Sequence, residues 1–552
     1  MVARLEHLVI LFCYAALGPL FQSSSKEVTL NLLTKVRVLT VFLHSGTFLL
    51  LAAACSAPIC AAPAGPVSCP TLASLALPNT MITQSRLIGA GEFALTPDEH
   101  SQDSVKSGFK DLPAFCRVAA TLQPTSDSDI KIEVWMPASG WNGKFQAVGN
   151  GGWAGAISYG AMSQALKDGY ATASTDTGHA GNRGIFALGH PEKVADFGYR
   201  AVHEMTVQAK SIIETFYGKA ARISYWNGCS TGGRQALKEV QRYPKDYDGV
   251  IAGAAANPRT HLSTWQIWIG QAMMKEPGSF IPKTKYAMIH SAVLDACDAI
   301  DGVKDGLISD PTRCHFSPAT LLCKGADSPT CLTAPQVEAM TKIMTPVMNP
   351  RTGKEIFPTY EPGTELGWGL LAGGTEPFVY ALDQYRYVVF KDPNWDWHTM
   401  NFDSDVELAD KVDDDTINAT NPNLSEFAAH GGKLFMYHGW TDPNVAPRAS
   451  VEYYNNVLEV MGGARKTASW LRLFMVPGMG HCEGGEGPDT FSKMAVMEDW
   501  VEKGKAPERI VASHLTNAVV DRTRPLCPYP QVANYKGNGN INDAGNFVCK
   551  AP

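Results

Sequence analysis

The chain has 552 residues, 45% of them hydrophobic and 18% charged, with a formal net charge of −7. This composition fits a globular protein with a large core, and the negative balance argues against a broad nucleic-acid footprint. Its 50 glycines and 35 prolines point to many turns and loops and away from a helical bundle.

Residues 1–64 read as a targeting region outside the fold. Lys35 and Arg37 precede an apolar run, Val38 to Ala54, broken only at His44–Thr47. Small residues follow in AAACSAPICAAPAG, which places signal cleavage near residue 62 or 64. A second apolar run, LVILFCYAALGPLF, lies within residues 1–30, so the signal sits late and the start reads as overextended. The sequence AAAC ending at Cys55 is a poor lipobox, because Ala52 replaces the usual large aliphatic residue. A lipid anchor at Cys55 is therefore the lesser alternative to a secreted or periplasmic protein without a membrane span.

Export changes the meaning of the 13 cysteines. Cys13, Cys55 and Cys60 lie in the targeting region. The remaining ten suggest five disulfides, with some buried thiols as the alternative. None has C-x-x-C spacing, which argues against a cysteine zinc site.

From residue 65 the pattern is that of an α/β domain. IKIEVWMP (130–137) alternates like a strand, and KFQAVGNGGWAG (144–155) reads as a strand entering a glycine-rich loop. YATASTDTG (170–178) is a strand and turn, and residues 196–217 are a helix. RISYWNG (222–228) is a strand, GRQALKEVQRYP (233–244) a helix stopped by Pro244, and GVIAGAAA (249–256) an apolar strand. Alternating strands and helices imply a mainly parallel sheet covered on both faces. The rhythm breaks over 257–419, which is rich in Trp, Pro and Asp. It resumes with KLFMYHG (433–439), a helix over 448–461, LRLFMVPG (471–478) and a helix over 490–503. The parse is one α/β domain in two parts, 65–256 and 420–552, interrupted by an insertion at 257–419.

Within NGCSTGG (227–233), Gly228-Cys229-Ser230-Thr231-Gly232 reads G-x-S-x-G between a strand and a helix. That context suits a nucleophile elbow, with the Thr231 backbone N–H facing a developing oxyanion. The pattern alone also fits an ordinary glycine turn. A serine nucleophile needs a base, and His481 lies in a glycine-rich loop after an apolar strand, while Asp442 follows another strand. The order Ser230, Asp442, His481 is the α/β-hydrolase order. Asp176 also follows a strand but precedes the serine, and His438 reads better as a structural or substrate-lining histidine than as the base. Cys229 precedes the serine and Cys482 follows the histidine. If Ser230 and His481 are within hydrogen-bond reach, their neighbours are close too. A Cys229–Cys482 bond would tie the two loops, at about 3–5 kcal/mol in the chain-entropy picture.

CDAIDGVKDGLISDPTRC (297–314) clusters Asp298, Asp301, Asp305 and Asp310. Taken alone it reads as a solvated acidic turn; it could also wrap a hard cation such as calcium. The segment 257–419 holds Trp265, Trp268, Trp368, Trp395, Trp397 and Phe378, mostly core candidates, with two or three expected to line an aromatic pocket.

The serine-preceding cysteine, the loop aspartate and the histidine-following cysteine resemble the CS-D-HC signature of the tannase and feruloyl esterase family. VGNGGWAG, GCSTGGRQAL, YPKDYDGVIAGAAA, FKDPNWDW, VPGMGHCEGG and RTRPLCPYP extend the resemblance over roughly 65–550. The resemblance implies an α/β-hydrolase fold with a large lid inserted after the strand that follows the elbow helix. It implies pairs Cys69–Cys116, Cys297–Cys314, Cys323–Cys331 and Cys527–Cys549, besides Cys229–Cys482. It implies a second oxyanion donor at Gly152, and a structural calcium held by Asp298, Asp301 and Asp305 and by the carbonyls of Val303 and Leu307, with no catalytic cofactor. The activity implied is hydrolysis of small aromatic esters, feruloyl-type first, with gallate esters (tannase) or terephthalate half-esters as alternatives. Arg386 is a candidate grip for a substrate carboxylate. A non-catalytic exported binding protein on the same fold is the reading from a different class, and three matched catalytic positions argue against it.

Overall fold

The computed structural model describes residues 65–96 and 109–552. The targeting segment read over 1–64, with its cleavage site and Cys55, lies outside the described residues. Strands β1 (Thr80–Ile88), β2 (Phe115–Leu122), β3 (Ile130–Pro137), β4 (Lys144–Val148), β5 (Ala171–Thr175), β6 (Ile223–Cys229) and β7 (Gly249–Gly253) come first in the chain. A small hairpin, β8 (Val347–Met348) with β9 (Glu355–Phe357), precedes β10 (Lys433–Gly439) and β11 (Leu471–Val476). Nine of these build one sheet in the order β1-β2-β3-β5-β4-β6-β7-β10-β11. The β1–β2, β2–β3 and β3–β5 pairs are antiparallel, and every pair from β5 to β11 is parallel. The result is a mixed α/β fold consistent with an α/β-hydrolase-like arrangement.

Helices α1 (Tyr159–Lys167), α2 (Ala201–Tyr217) and α3 (Thr231–Arg242) alternate with the early parallel strands. Segment 257–419 carries α4 (Arg259–Met273), α5 (Tyr286–Cys297), α6 (Ala334–Ile343) and α7 (Ser404–Asp413). Helices α8 (Arg448–Val460) and α9 (Lys493–Lys503) follow β10 and β11. Successive strand residues point to opposite faces, and both faces are buried, which is why these strands read as apolar runs. Trp226, Met436 and Leu473 pack with Met205 and Ile212 of α2 and with Leu237 of α3 on one side. Their neighbours Tyr225, Phe435 and Phe474 pack with Met497 and Trp500 of α9 on the other.

The elements expected between 130 and 503 appear, with shifted ends. Helix α3 starts at Thr231, two residues before the expected Gly233, and stops at Arg242, because the residue before Pro244 is disfavoured in helical geometry. Segment 257–419 is mainly helical with its own core around Trp265, Ile289, Met340, Trp368 and Tyr385. Two C-terminal hairpins were not legible: β12 (Ile510–Thr516) with β13 (Val519–Leu526), and β14 (Val532–Tyr535) with β15 (Phe547–Lys550). The first turns through Asn517 and Ala518, both at positive φ. A two-residue turn of that kind normally advertises itself with glycine. Among the described residues no helix is long and apolar enough to cross a membrane.

Candidate active site

Ser230 stands between the end of β6 and the first turn of α3, with φ 62° and ψ −121°. A non-glycine residue held there stores about 1–3 kcal/mol of strain and persists only where its surroundings fix it. Its N–H donates to the Gly253 carbonyl (3.0 Å), and its own carbonyl accepts from Arg234 (3.0 Å) and Ala256 (3.2 Å). The flanking glycines are steric necessities. A Cβ at Gly228 would lie 2.5 Å from the Gly232 carbonyl oxygen, and one at Gly232 would press on Asn150 and Gly149 at 3.1–3.2 Å.

The loops after β10 and β11 bring Asp442 and His481 together. Thr441 fastens them by donating its N–H (3.1 Å) and hydroxyl (2.8 Å) to the Met479 carbonyl. His481 Nδ1 lies 2.6 Å from Asp442 Oδ2. Asp442 Oδ1 accepts the N–H groups of Asn444 (2.7 Å) and Val445 (3.0 Å). Burial alone would push the Asp442 carboxyl up; His481 and His438 outweigh it and hold the group well below the usual carboxylate range. A carboxylate only accepts hydrogen bonds, so the His481 proton sits on Nδ1. Nε2 is left as the basic nitrogen, buried and without a hydrogen-bond partner in the described structure. The Cys229–Cys482 disulfide, with Cα atoms 6.0 Å apart, joins the serine and histidine loops.

His438 has a role that the sequence did not announce. Its Nε2 lies 2.9 Å from the same Asp442 Oδ2, and its Nδ1 accepts from the Ser450 hydroxyl at 2.8 Å. It is fully buried, so it supports the aspartate and does not line a substrate pocket. The only visible signal was its i, i+4 spacing from Asp442. The rival acid Asp176 is buried elsewhere, accepting the N–H groups of Lys131 and Gly178, with its carboxyl pushed up to about 7 by burial.

The glycine loop meets the elbow where Thr231 Oγ1 donates to the Gly152 carbonyl (2.8 Å). Gly152 has φ +58°, and a Cβ there would lie 2.7 Å from Asn182 Oδ1 and 2.8 Å from the Tyr380 ring. Asn182 and Tyr380 therefore crowd this loop, with Asn182 Oδ1 accepting the Trp153 N–H at 2.9 Å. Neither was identified from the sequence, because Tyr380 returns from a distant part of the chain and Asn182 comes from a separate loop after β5. Of the candidate pocket aromatics, Trp265, Trp368, Trp395 and Trp397 are buried in the core of segment 257–419. Trp268 and Phe378 are half-buried at its edge, and Phe378 packs edge-on against Tyr380 at 4.8 Å. Arg386 donates from Nε to the Trp395 carbonyl at 3.3 Å.

The other four disulfides are Cys69–Cys116, Cys297–Cys314, Cys323–Cys331 and Cys527–Cys549. In the acidic loop, Asp298 accepts the N–H groups of Asp305 and Gly306. Asp301 accepts the Val303 N–H and the Ser309 hydroxyl, and Asp305 takes the Leu307 N–H and an ion pair with Arg524. Burial pushes the carboxyls of Asp301 and Asp305 up, and the neighbouring aspartates push the same way. Arg524, and at Asp305 also Arg522, work against this rise; the carboxylate oxygens are of the hard kind that a divalent cation takes. A tighter ligand set lies elsewhere: His203, Glu239 and Asp246 bring one ligand atom each within 4.8 Å of one another beside α2 and α3.

A model of the family described as tannase and feruloyl esterase matches residues 116–550. The chain belongs to that family. An uncharacterised esterase of Xanthomonas campestris pv. campestris is 38% identical over 532 residues, covering 87% of this chain and 91% of the relative. A probable feruloyl esterase B-2 of Neosartorya fischeri is 34% identical, covering 86% and 93%. Among solved structures, feruloyl esterase B of Aspergillus oryzae superimposes with a TM-score of 0.82 at 33% identity, over 87% of this chain and 99% of that one. The tannin acyl hydrolase of Aspergillus niger shares the fold, with a TM-score of 0.71 at 22% identity over 87% and 93%. This member of the tannase and feruloyl esterase family is a carboxylic ester hydrolase of the feruloyl esterase type.

Proposed function

We propose that this protein is an exported serine esterase that cleaves esters of phenolic acids through an acyl-enzyme. The observation that carries the reading is the strained Ser230 elbow, disulfide-linked to a loop whose His481 is paired with buried Asp442. His481 Nε2 takes the Ser230 proton as Oγ attacks the ester carbonyl. The backbone N–H groups of Thr231 and Gly152 hold the tetrahedral oxyanion. Nε2 then passes the proton to the departing alcohol, leaving the aromatic acyl group on Oγ. Water, deprotonated by the same nitrogen, attacks this ester, and the acid leaves as Oγ regains its proton.

Segment 257–419 acts as the lid in this reading. Tyr380 beside the glycine loop, and Phe378 against it, supply an aromatic wall for a planar acyl group. Methyl ferulate is expected to have the highest kcat/KM among methyl ferulate, methyl caffeate, methyl gallate, chlorogenate and the terephthalate half-ester. A preference for methyl gallate or for the half-ester would move the assignment to a tannase or a terephthalate-ester hydrolase. Five disulfides and the signal-like N-terminal sequence support export.

A structural calcium is also proposed, held by the side chains of Asp298, Asp301 and Asp305 and by the carbonyls of Val303 and Leu307. It would neutralise the crowded carboxylates and brace the lid without entering the chemistry. Chelator treatment is then expected to lower Tm by several degrees, about 1–2 kcal/mol of lost linkage, with recovery on adding calcium. An unchanged Tm and no bound calcium by elemental analysis would remove this proposal.

A further inference from the structure

His290, on α5, stands between two carboxylates from distant parts of the chain. Its Nδ1 lies 2.8 Å from Glu365 Oε2, and its Nε2 lies 2.9 Å from Glu486 Oε2. Glu365 is fully buried in segment 257–419, where its other oxygen accepts the Gly363 N–H at 2.9 Å. Glu486 is 55% exposed and belongs to the loop that carries His481. That loop closes on itself through Gly480 N–H to Gly484 (2.8 Å) and Gly487 N–H to Gly478 (3.0 Å), so Glu486 and His481 move as one piece. The disulfide and Asp442 hold this loop from the side of the sheet. From the side of segment 257–419, Leu307 packs on Gly478, and His290 adds a hydrogen bond to Glu486.

We propose that His290 is a positioning residue for the esterase reaction, latching the His481 loop to segment 257–419 through its doubly hydrogen-bonded contact with Glu365 and Glu486. The proposal rests on the reading of His481 as the general base. Two carboxylates can both be satisfied only by an imidazolium, which has two N–H donors; neutral imidazole has one. Burial works against the charge, but the two carboxylates outweigh it and push the imidazole up to about 9. Arg522 and His514 of the C-terminal hairpin also bear on Glu486 and favour its charged form. The group is raised above its unfolded value, so the latch is complete at neutral pH and is lost as pH rises through about 9. On deprotonation the single remaining N–H stays with Glu365, because an unpaired carboxylate in the interior costs more than an exposed one that water can solvate. Glu486 is released, and the catalytic loop loses this hydrogen bond to segment 257–419.

The test uses Glu486→Ala, which removes an exposed side chain and leaves His290 Nε2 no partner there, together with His290→Gln. The full-length enzyme is assayed from pH 6.5 to 10.5 on methyl 4-methoxycinnamate, which has no ionisable phenol. Amide hydrogen exchange of the 477–487 peptide is followed at pH 7.5. Wild type is expected to lose kcat through an alkaline limb near pH 9. Both variants should show kcat lowered roughly threefold to tenfold at pH 7.5 with KM little changed, no further alkaline limb, and faster exchange in the loop. Unchanged exchange in both variants overturns the latch whatever the activity does. Faster exchange with wild-type kcat and an unaltered alkaline limb also overturns it, because the loop would then move without displacing the base. A wild-type protein that cleaves no ester, with the exchange difference intact, would overturn the esterase reading alone.

Discussion

Ser230→Ala is expected to lower kcat for methyl ferulate by about 10⁶-fold, with the fold and the five disulfides intact. In the proposed mechanism the substitution removes only the oxygen that becomes acylated. The strained backbone at φ 62° is held by neighbours that alanine leaves in place, chiefly the Gly253 carbonyl and the packing of Gly228 against Gly232. Asp442→Asn should cost less, about 10⁴-fold, because the nucleophile and oxyanion donors remain and the loss is one of imidazole tautomer and orientation. Here His438 matters. It shares Asp442 Oδ2 with His481 while Oδ1 accepts the Asn444 and Val445 N–H groups, so an asparagine must turn its amide NH2 either on the two histidines or on those two backbone donors. Steady-state kinetics on both variants, with circular dichroism to confirm folding, checks the ranking.

The second large effect belongs to the bond between the two loops. Cys229→Ala with Cys482→Ala opens a link across a sequence separation of 253 residues. The chain-entropy picture gives about 5 kcal/mol for such a closure, enough to lower Tm markedly in a domain of marginal stability. The expected signature is a joint fall in Tm and kcat, the latter because the His481 loop loses its covalent tie to the serine loop and keeps only hydrogen-bonded and packing contacts. A variant that loses Tm while keeping full kcat would mean that the bond stabilises the fold without positioning the base.

The pattern of success and failure along the chain has a physical basis. The elbow was legible because its signal is local: two glycines, a serine and a strand-to-helix change fall within a dozen residues. The pairing of Asp442 with His481 was legible because both follow strand ends, where such sheets gather their functional loops, and β10 and β11 are apolar runs in the sequence. The Cys229–Cys482 pairing followed from adjacency to both. Contacts that depend on three-dimensional return of the chain were not legible. Tyr380 meets Gly152 across more than 200 residues, and His290 meets Glu486 at a separation of 196. The tryptophans of segment 257–419 could not be sorted into core and pocket, since burial and not identity separates Trp265 from Trp268. The C-terminal hairpins escaped because their strands are short and partly exposed, with little alternation to mark them.

The most direct test of the account is stoichiometric labelling with an organophosphate followed by peptide mapping without reduction. The predicted result is one phosphonyl group per chain on Ser230, in a peptide still joined through Cys229 to the peptide holding Cys482, with no labelling of Ser230→Ala. Labelling of another residue, retained ester hydrolysis in Ser230→Ala, or a free thiol at Cys229 in the active enzyme would contradict it.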